Sequence, residues 1–295
     1  MNPANALRKL KLYASMVAYG NAHNRDFARE HWDFFARMDD FLAPYGGLAG
    51  KRVLDVGCGK AAWLTLLCAG AGAIATGIDT EVVEPGFRFS KYAGILRKNG
   101  PERFARTLAW ELLYARPYFR ELAAQADFVL PFSKVDARPV SVTELPFDDD
   151  TFDYAVSHEV LEHLPDLEAA ADEIARVVKP QGLTYLYVHN FASISGGHHI
   201  AWKYPDTEPS DSVPPWDHLR ENRFPDIPSW INRVREKDFR AIFEHRFHIL
   251  AWLPTHEEGT SLLTPEIMAE LPDFSRQELL TKGFIIVGRP KKKKH

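Results

Sequence analysis

The sequence predicts a doubly wound α/β fold, a largely parallel seven-stranded sheet covered by helices and ending in an antiparallel pair. Two alternations carry that reading. Residues 53–79 run strand, glycine turn, helix, strand, and residues 154–188 repeat the strand–helix–strand succession. Composition agrees: of 295 residues, 45% are hydrophobic and 26% charged, the balance of a globular chain with a sizeable core.

Residues 1–48 read as an N-terminal helical cap. Phe27, Trp32, Phe34, Phe35 and Met38 recur at three- and four-residue steps until Pro44 and Gly46-Gly47 end the pattern. The domain proper spans 49–290. It opens with a β-branched strand at Val53–Val56, a glycine turn, a helix near Ala61–Ala69 and a strand at Ala73–Ile78. Residues 82–133 keep helical periodicity but exceed what a compact strand connection needs, so they read as a helical insertion. Its Arg103, Arg106, Arg116 and Arg120 alternate with Glu102, Glu111 and Glu121, which predicts a solvated face.

A buried strand follows at Tyr154–Ser157, with a helix predicted to begin near His158. A further helix at Leu167–Val178 stops before Pro180 and Gly182, and Leu183–Val188 is the next strand. Residues 189–232, rich in Pro, His and Trp, are too long for an idle connection and read as a substrate lid. A helix near Val234–Phe243, a strand at Phe247–Leu253 and a last strand at Phe284–Val287 complete the domain. Residues 291–295 read as a disordered basic tail.

These features also exclude. No apolar run approaches the roughly 20 residues that span a bilayer. The start, MNPANALRKLKLYASM, lacks the apolar core of a secretory signal, so the expected location is cytoplasmic. A net charge of −4 argues against a strongly basic nucleic-acid surface. Cys58 and Cys68 have neither metal-ligand spacing nor a disulfide framework.

The chemistry begins at Asp55-Val56-Gly57-Cys58-Gly59. A glycine pair after a strand is common to many nucleotide turns, but an acid at the strand end disfavours a pyrophosphate and favours a cationic ligand. Asp79, 20 residues after Gly59, stands at the end of the next strand, where a carboxylate can hold ribose hydroxyls.

With LDVGCGKAAW, Asp79, LPFDDDTFD, VLEHLPD and RVVKPQG, the chain resembles the class I S-adenosylmethionine-dependent methyltransferases, Rossmann-like and close to the type 11 group. The resemblance covers roughly residues 50–290. It implies that Asp55, Gly57, Gly59 and Asp79 hold S-adenosylmethionine. The adenine-binding register falls on Ser141-Val142, with Asp136 as the alternative, and His158 borders the cofactor. It implies a small-molecule acceptor, with O-methylation of a sugar, glycan or secondary metabolite as the leading reaction. A non-catalytic cofactor-binding module, and N-methylation of a small molecule or nucleic acid, are the alternatives.

Glu159, Glu162 and His163, at i, i+3 and i+4, would share one face of the helix predicted from His158. One imidazole and two carboxylates suit Mg2+, Mn2+ or Zn2+. The pattern resembles the Glu-x-x-Glu-His helix of metal-dependent ubiquinone-pathway O-methyltransferases and plant small-RNA 2′-O-methyltransferases, the latter completing the site with a later histidine. His198, His199 and His218 are the candidates here, and His199 is assigned. Without metal, His158, His163 or His199 would be the general base. Trp202, Tyr204, Trp216 and Trp230 in the lid suit a ring-shaped, hydroxylated acceptor, or else form the segment's own core.

Overall fold

The computed structural model describes residues 18, 22–80, 93–97, 100–101, 104, 107–108, 110–224 and 230–292. Seven strands form one sheet: β1 (Arg52–Val56), β2 (Ile74–Asp79), β3 (Asp136–Pro139), β4 (Phe152–His158), β5 (Val178–His189), β6 (Phe247–Pro254) and β7 (Gly283–Pro290). Their order is β3-β2-β1-β4-β5-β7-β6, so the direction of winding reverses at β1 as a doubly wound fold requires. β2 pairs with β3 and β4 with β5 in parallel. β7 lies antiparallel to both β5 and β6, the terminal pair expected. The short β3, Asp136–Pro139, was not legible as a strand. No helix among the described residues is long and apolar enough to cross a membrane.

The chain divides into two compact units, Met1–Val53 with Cys58–Pro139 and Leu54–Gly57 with Val140–His295. In the first, α1 (Asn24–Leu42) buries Ala28, Phe34, Phe35, Met38 and Leu42 along one stripe. His31, on that helix, stacks on Trp63 with ring centroids 4.1 Å apart, and its Nδ1 meets the Tyr118 hydroxyl at 2.6 Å. A 3-10 turn, Ala43–Tyr45, and left-handed Gly46 end α1 where Pro44 and the glycines predict. α2 (Trp63–Gly70) is buried almost all round. Of the insertion, a π-helical turn (Trp110–Ala115) runs into α3 (Arg116–Gln125), whose Tyr118 and Leu122 are buried. Arg120 pairs with Glu121 in solvent. Arg103, Arg106 and Glu102 lie outside the described residues, as do residues 1–17.

In the second unit, α4 (Leu167–Val177) is capped by Asp166, whose carboxylate accepts the Ala169 N–H at 2.9 Å. It buries Leu167, Ala170, Ala171, Ile174 and Val177. α5 (Glu236–Arg246) precedes β6, and two short helices, α6 (Pro265–Glu270) and α7 (Arg276–Leu280), precede β7. Segment 189–232 forms a core with them: Ile194, Trp202, Val213 and Trp216 pack with Leu263, Ile267, Leu271, Leu279 and Leu280. Trp202 and Trp216 are thus core residues, the second of the two readings the sequence leaves open for them. Trp230 alone of the lid tryptophans is more than half exposed. The tail starts as ordered chain. Lys291 Nζ donates to the Glu244 carbonyl, and Lys292 Nζ donates to those of Ala175 and Arg176 and pairs with Asp150. Residues 293–295 lie outside the described residues.

Candidate active site

Asp55 and Gly57 belong to the second unit. Asp55 is buried at the carboxyl end of β1, and the carbonyl of Val56 beside it accepts the Ser157 hydroxyl at 2.9 Å. Gly57 has φ +76°, and a Cβ there would stand 2.2 Å from a Val160 methyl. Its glycine is required by packing as well as by backbone conformation.

Gly59 and Asp79 belong to the first unit. Gly59, at φ +61°, donates its N–H to Asp79 Oδ2 at 3.1 Å, and a Cβ on it would meet no atom of the described residues within 4 Å. Ser141 Oγ is 2.8 Å from Thr143 Oγ1 in an exposed turn, whereas Val142 is buried. Asp136 accepts from Arg138 and Thr76, and the Arg138 hydrogen bond holds its carboxyl below the ordinary range.

The segment after β4 departs from the prediction. No α-helix starts at His158. β4 continues through His158, Glu159 takes left-handed backbone at φ +55°, and a 3-10 turn of three residues, Leu161–His163, follows. Glu159, Glu162 and His163 therefore do not share a helical face. The lid's end is fastened to this turn. Asn232 Nδ2 donates to the Leu161 and Leu164 carbonyls, the Asn232 N–H donates to the Glu162 carbonyl, and His163 Nδ1 donates to the Trp230 carbonyl at 2.9 Å.

What the fold gathers instead is Glu162, His189 and His198, whose ligand atoms all lie within 4.8 Å of one another. His189 is the last residue of β5. From it the chain turns back through consecutive hydrogen-bonded turns, Ser193 N–H to the Asn190 carbonyl, Gly196 N–H to Ser193 and His198 N–H to Ser195. The reversal needs Gly196 and Gly197, where a Cβ would fall 2.2 Å from the Asn190 carbonyl oxygen and 2.6 Å from the His218 ring. The His189 and His198 rings end 4.7 Å apart, and His163 meets His198 edge-on at 4.8 Å.

Burial governs the charges. It pushes the Glu162 carboxyl well up, and the neighbouring Glu159 carboxylate adds to the rise. Burial acts on Glu159 in the same direction but is outweighed, chiefly by Lys203, so that Glu159 is held well below the carboxylate range. The imidazoles are driven toward neutrality: burial lowers His189 far below its usual value and His198 to about 4. Both Glu162 carboxyl oxygens and His198 Nε2 are buried without a hydrogen-bond partner of ordinary geometry among the described residues. Buried polar atoms without a partner are costly in a folded protein unless something else engages them.

The other histidines of the prediction have different posts. His199 Nδ1 accepts the Ala201 N–H at 3.0 Å and caps the 3-10 turn Ile200–Trp202, so it stands outside the group assigned to it. His218 Nε2 donates to the Phe191 carbonyl at 2.9 Å. His158 packs its ring against Tyr187. His189 escaped notice as a ligand because it reads as the first residue of segment 189–232, whereas β5 runs through it. That position was itself the available signal, since ligands of parallel sheets gather at the carboxyl ends of strands.

Comparison with known proteins adds to this geometry. The profile of a methyltransferase domain matches residues 27–246, about three quarters of the chain. The ubiquinone biosynthesis O-methyltransferase of Alkalilimnicola ehrlichii is 33% identical over 150 residues, 50% of this chain and 44% of that protein. The sterol 24-C-methyltransferase ERG6B of Gibberella zeae is 29% identical over 171 residues, 58% of this chain and 34% of that one. The chain thus spans less than half the length of these curated relatives. Among solved structures, an S-adenosylmethionine-dependent methyltransferase from Mesorhizobium loti superposes with a TM-score of 0.46 at 15% identity, over 82% of this chain and 92% of that one.

Proposed function

This chain belongs to the methyltransferase-domain family, and from that premise we propose that it transfers a methyl group from S-adenosylmethionine to a hydroxyl oxygen of a small molecule, assisted by a divalent cation. Asp55, Gly57, Gly59 and Asp79 are the residues assigned to the methyl donor. What supports this is chemical: a buried carboxylate such as Asp55 suits a cationic ligand, and a Cβ on Gly59 would meet no atom of the described residues within 4 Å. The segment 189–232 is assigned as the acceptor's lid.

Bound S-adenosylmethionine supplies an electrophilic methyl carbon. In-line displacement there asks the protein mainly to align nucleophile and methyl. A carbon or nitrogen nucleophile needs little more, whereas an alcohol must lose a proton with a pKa far above neutrality. The relatives divide between O- and C-methylation by name, so the choice falls to the site's own residues. The observation that carries the hydroxyl reading is the buried group Glu162, His189 and His198, two neutral imidazoles and a carboxyl beside open valences. Two nitrogens and one oxygen suit Zn2+ or Mn2+ better than Mg2+, so Glu162, His189 and His198 would hold such a cation. When bound it would supply the Lewis-acid chemistry that eases loss of a proton from a hydroxyl. Glu159, ionised and 3.7 Å from His189 Nδ1, adds negative charge at the rim.

Calorimetric titration with S-adenosylmethionine and with Mn2+ or Zn2+, followed by a panel of hydroxylated acceptors with and without EDTA, tests this reading. Binding of both, and turnover that EDTA abolishes and metal restores, is the expected result. Turnover indifferent to EDTA would remove the cation from the reaction, and donor binding without turnover across a broad panel would favour a regulatory module.

A further inference from the structure

Behind His189 lies a polar chain that methyl transfer does not require. His189, Ser195 and Glu258 are 4%, 3% and 2% exposed, each far more buried than its polarity explains. His189 Nε2 is 2.7 Å from Ser195 Oγ, and Ser195 Oγ is 2.5 Å from Glu258 Oε1. The Ser195 N–H donates to the same Glu258 oxygen at 3.0 Å. Glu258 is held in turn by its backbone, its N–H donating to the Leu280 carbonyl, while the N–H of Gly259 beside it donates to Asp206.

We propose that Glu258 and Ser195 are positioning residues that hold His189 as the tautomer protonated on Nε2, leaving the Nδ1 lone pair as the atom it offers to the Glu162–His198 group. The argument is a count of protons. Glu258 Oε1 accepts the Ser195 N–H and, with Glu258 ionised or carrying its proton on Oε2, the Ser195 hydroxyl as well; only a proton on Oε1 itself would reverse that bond and leave His189 protonated on Nδ1, the outcome that overturns the proposal. The single Ser195 hydroxyl proton is therefore committed to Glu258. Ser195 Oγ then has only lone pairs to show His189, and a short contact to Nε2 requires the proton to sit on Nε2. A histidine that serves a metal has its second nitrogen fixed in this manner, by a carboxylate, a carbonyl or a relay to one. The use of Nδ1 as a cation ligand rests on the function proposed above; the tautomer itself does not.

The test uses the full chain labelled with nitrogen-15 histidine and freed of metal by chelation. Long-range proton–nitrogen correlation reports which ring nitrogen carries the proton, and His189 is assigned among the 12 histidines by its absence from His189→Gln. We expect Nε2–H in the wild type. Glu258→Gln, whose amide oxygen can replace Oε1, should keep it. Ser195→Ala and Glu258→Ala should give mixed tautomers and weaken Mn2+ binding by about 10–100-fold. An Nδ1–H wild type, or an unchanged tautomer in folded Glu258→Ala, overturns the proposal. The wild-type spectrum decides even where a variant does not fold. If the wild type shows Nε2–H yet binds no Mn2+ or Zn2+, the cation reading fails while the positioning role stands.

Discussion

The glycine turn and the Glu162–His189–His198 group are built in opposite ways. The turn is a matter of backbone: left-handed Gly57 and Gly59 and a carboxylate at each of two strand ends, with 24 residues separating Asp55 from Asp79. The histidine–glutamate group is a matter of side chains, taken from the end of β5, a 3-10 turn and a doubled-back loop, and buried at a cost in desolvation. A site made of backbone conformation leaves its mark in residue type, because only certain residues adopt it. A site made of convergent side chains leaves a mark only once the fold has joined them. The two should accordingly fail in different ways when altered.

The largest effect is expected at Gly57. Replacement by alanine forces left-handed backbone on a residue with a Cβ and drives that Cβ into Val160, at 2.2 Å from Cγ2 and 2.5 Å from Cγ1. Conformational strain of about 1–2 kcal/mol and overpacking of about 1–3 kcal/mol predict a loss of about 2–5 kcal/mol in urea denaturation. Adding Val160→Ala should return the overpacking share. A double variant no more stable than Gly57→Ala would show that the clash is not what makes glycine necessary here.

Acid should act on the other region, through His218. Burial lowers this imidazole from 6.5 to about 4, although its hydrogen bond to the Phe191 carbonyl and the nearby Asp217 oppose the shift and Arg233 adds to it. Above pH 6.5 it is neutral whether the chain is folded or not. Between pH 6.5 and about 4 the unfolded chain takes up a proton that the folded chain refuses, so stability falls as pH falls, by about 3 kcal/mol at most. Denaturation of the chelated protein at pH 7 and pH 5 should show a loss, and His218→Gln should make it smaller, leaving the share of His189 and His198, which burial also lowers. An equal slope in the variant would assign the acid sensitivity elsewhere.

These two tests also mark where sequence reasoning succeeds and stops. The strand–helix alternation, the end of α1, the extent of α4 and the antiparallel pair were legible because hydrophobic period, Pro44 and the Gly46-Gly47 pair act locally, whereas the short β3 was not. The helix expected from His158 was not, because its spacing fits a helix equally well and the left-handed Glu159 that prevents one is a tertiary outcome. His198 and His199 are neighbours of one type. Only the Gly196-Gly197 reversal decides that the first enters the group while the second caps a turn. Trp202 and Trp216 fit either a ligand face or a core until α6 and α7 supply the core that buries them.

Next in size is Glu162→Gln. Losing even an outer partner of a metal ligand costs about 10–100-fold in affinity, so losing a ligand should weaken Mn2+ or Zn2+ binding by about 100-fold or more, near 2.7 kcal/mol. The metal-free variant should be no less stable than the wild type, since burial first, and Glu159 beside it, already oppose a charge on Glu162. Calorimetry and denaturation on the same sample separate the two readouts. A variant that loses stability while keeping metal affinity would make Glu162 a structural residue.

The smallest effect on stability, and the one that sharpens the comparison most, is expected at Gly59. Like Gly57 it has left-handed backbone, but a Cβ there meets no atom of the described residues within 4 Å. Gly59→Ala should therefore cost only the backbone strain, about 1–2 kcal/mol, with none of the overpacking that burdens Gly57. If the methyl donor lies beside it, the added methyl should also lower S-adenosylmethionine affinity by more than the strain explains, because the strain is already present in the free protein. Titration at a temperature where both forms are fully folded reads that excess directly. Unchanged affinity in folded Gly59→Ala would mean that both glycines serve the turn alone, and the distinction drawn between them would reduce to what Val160 happens to touch.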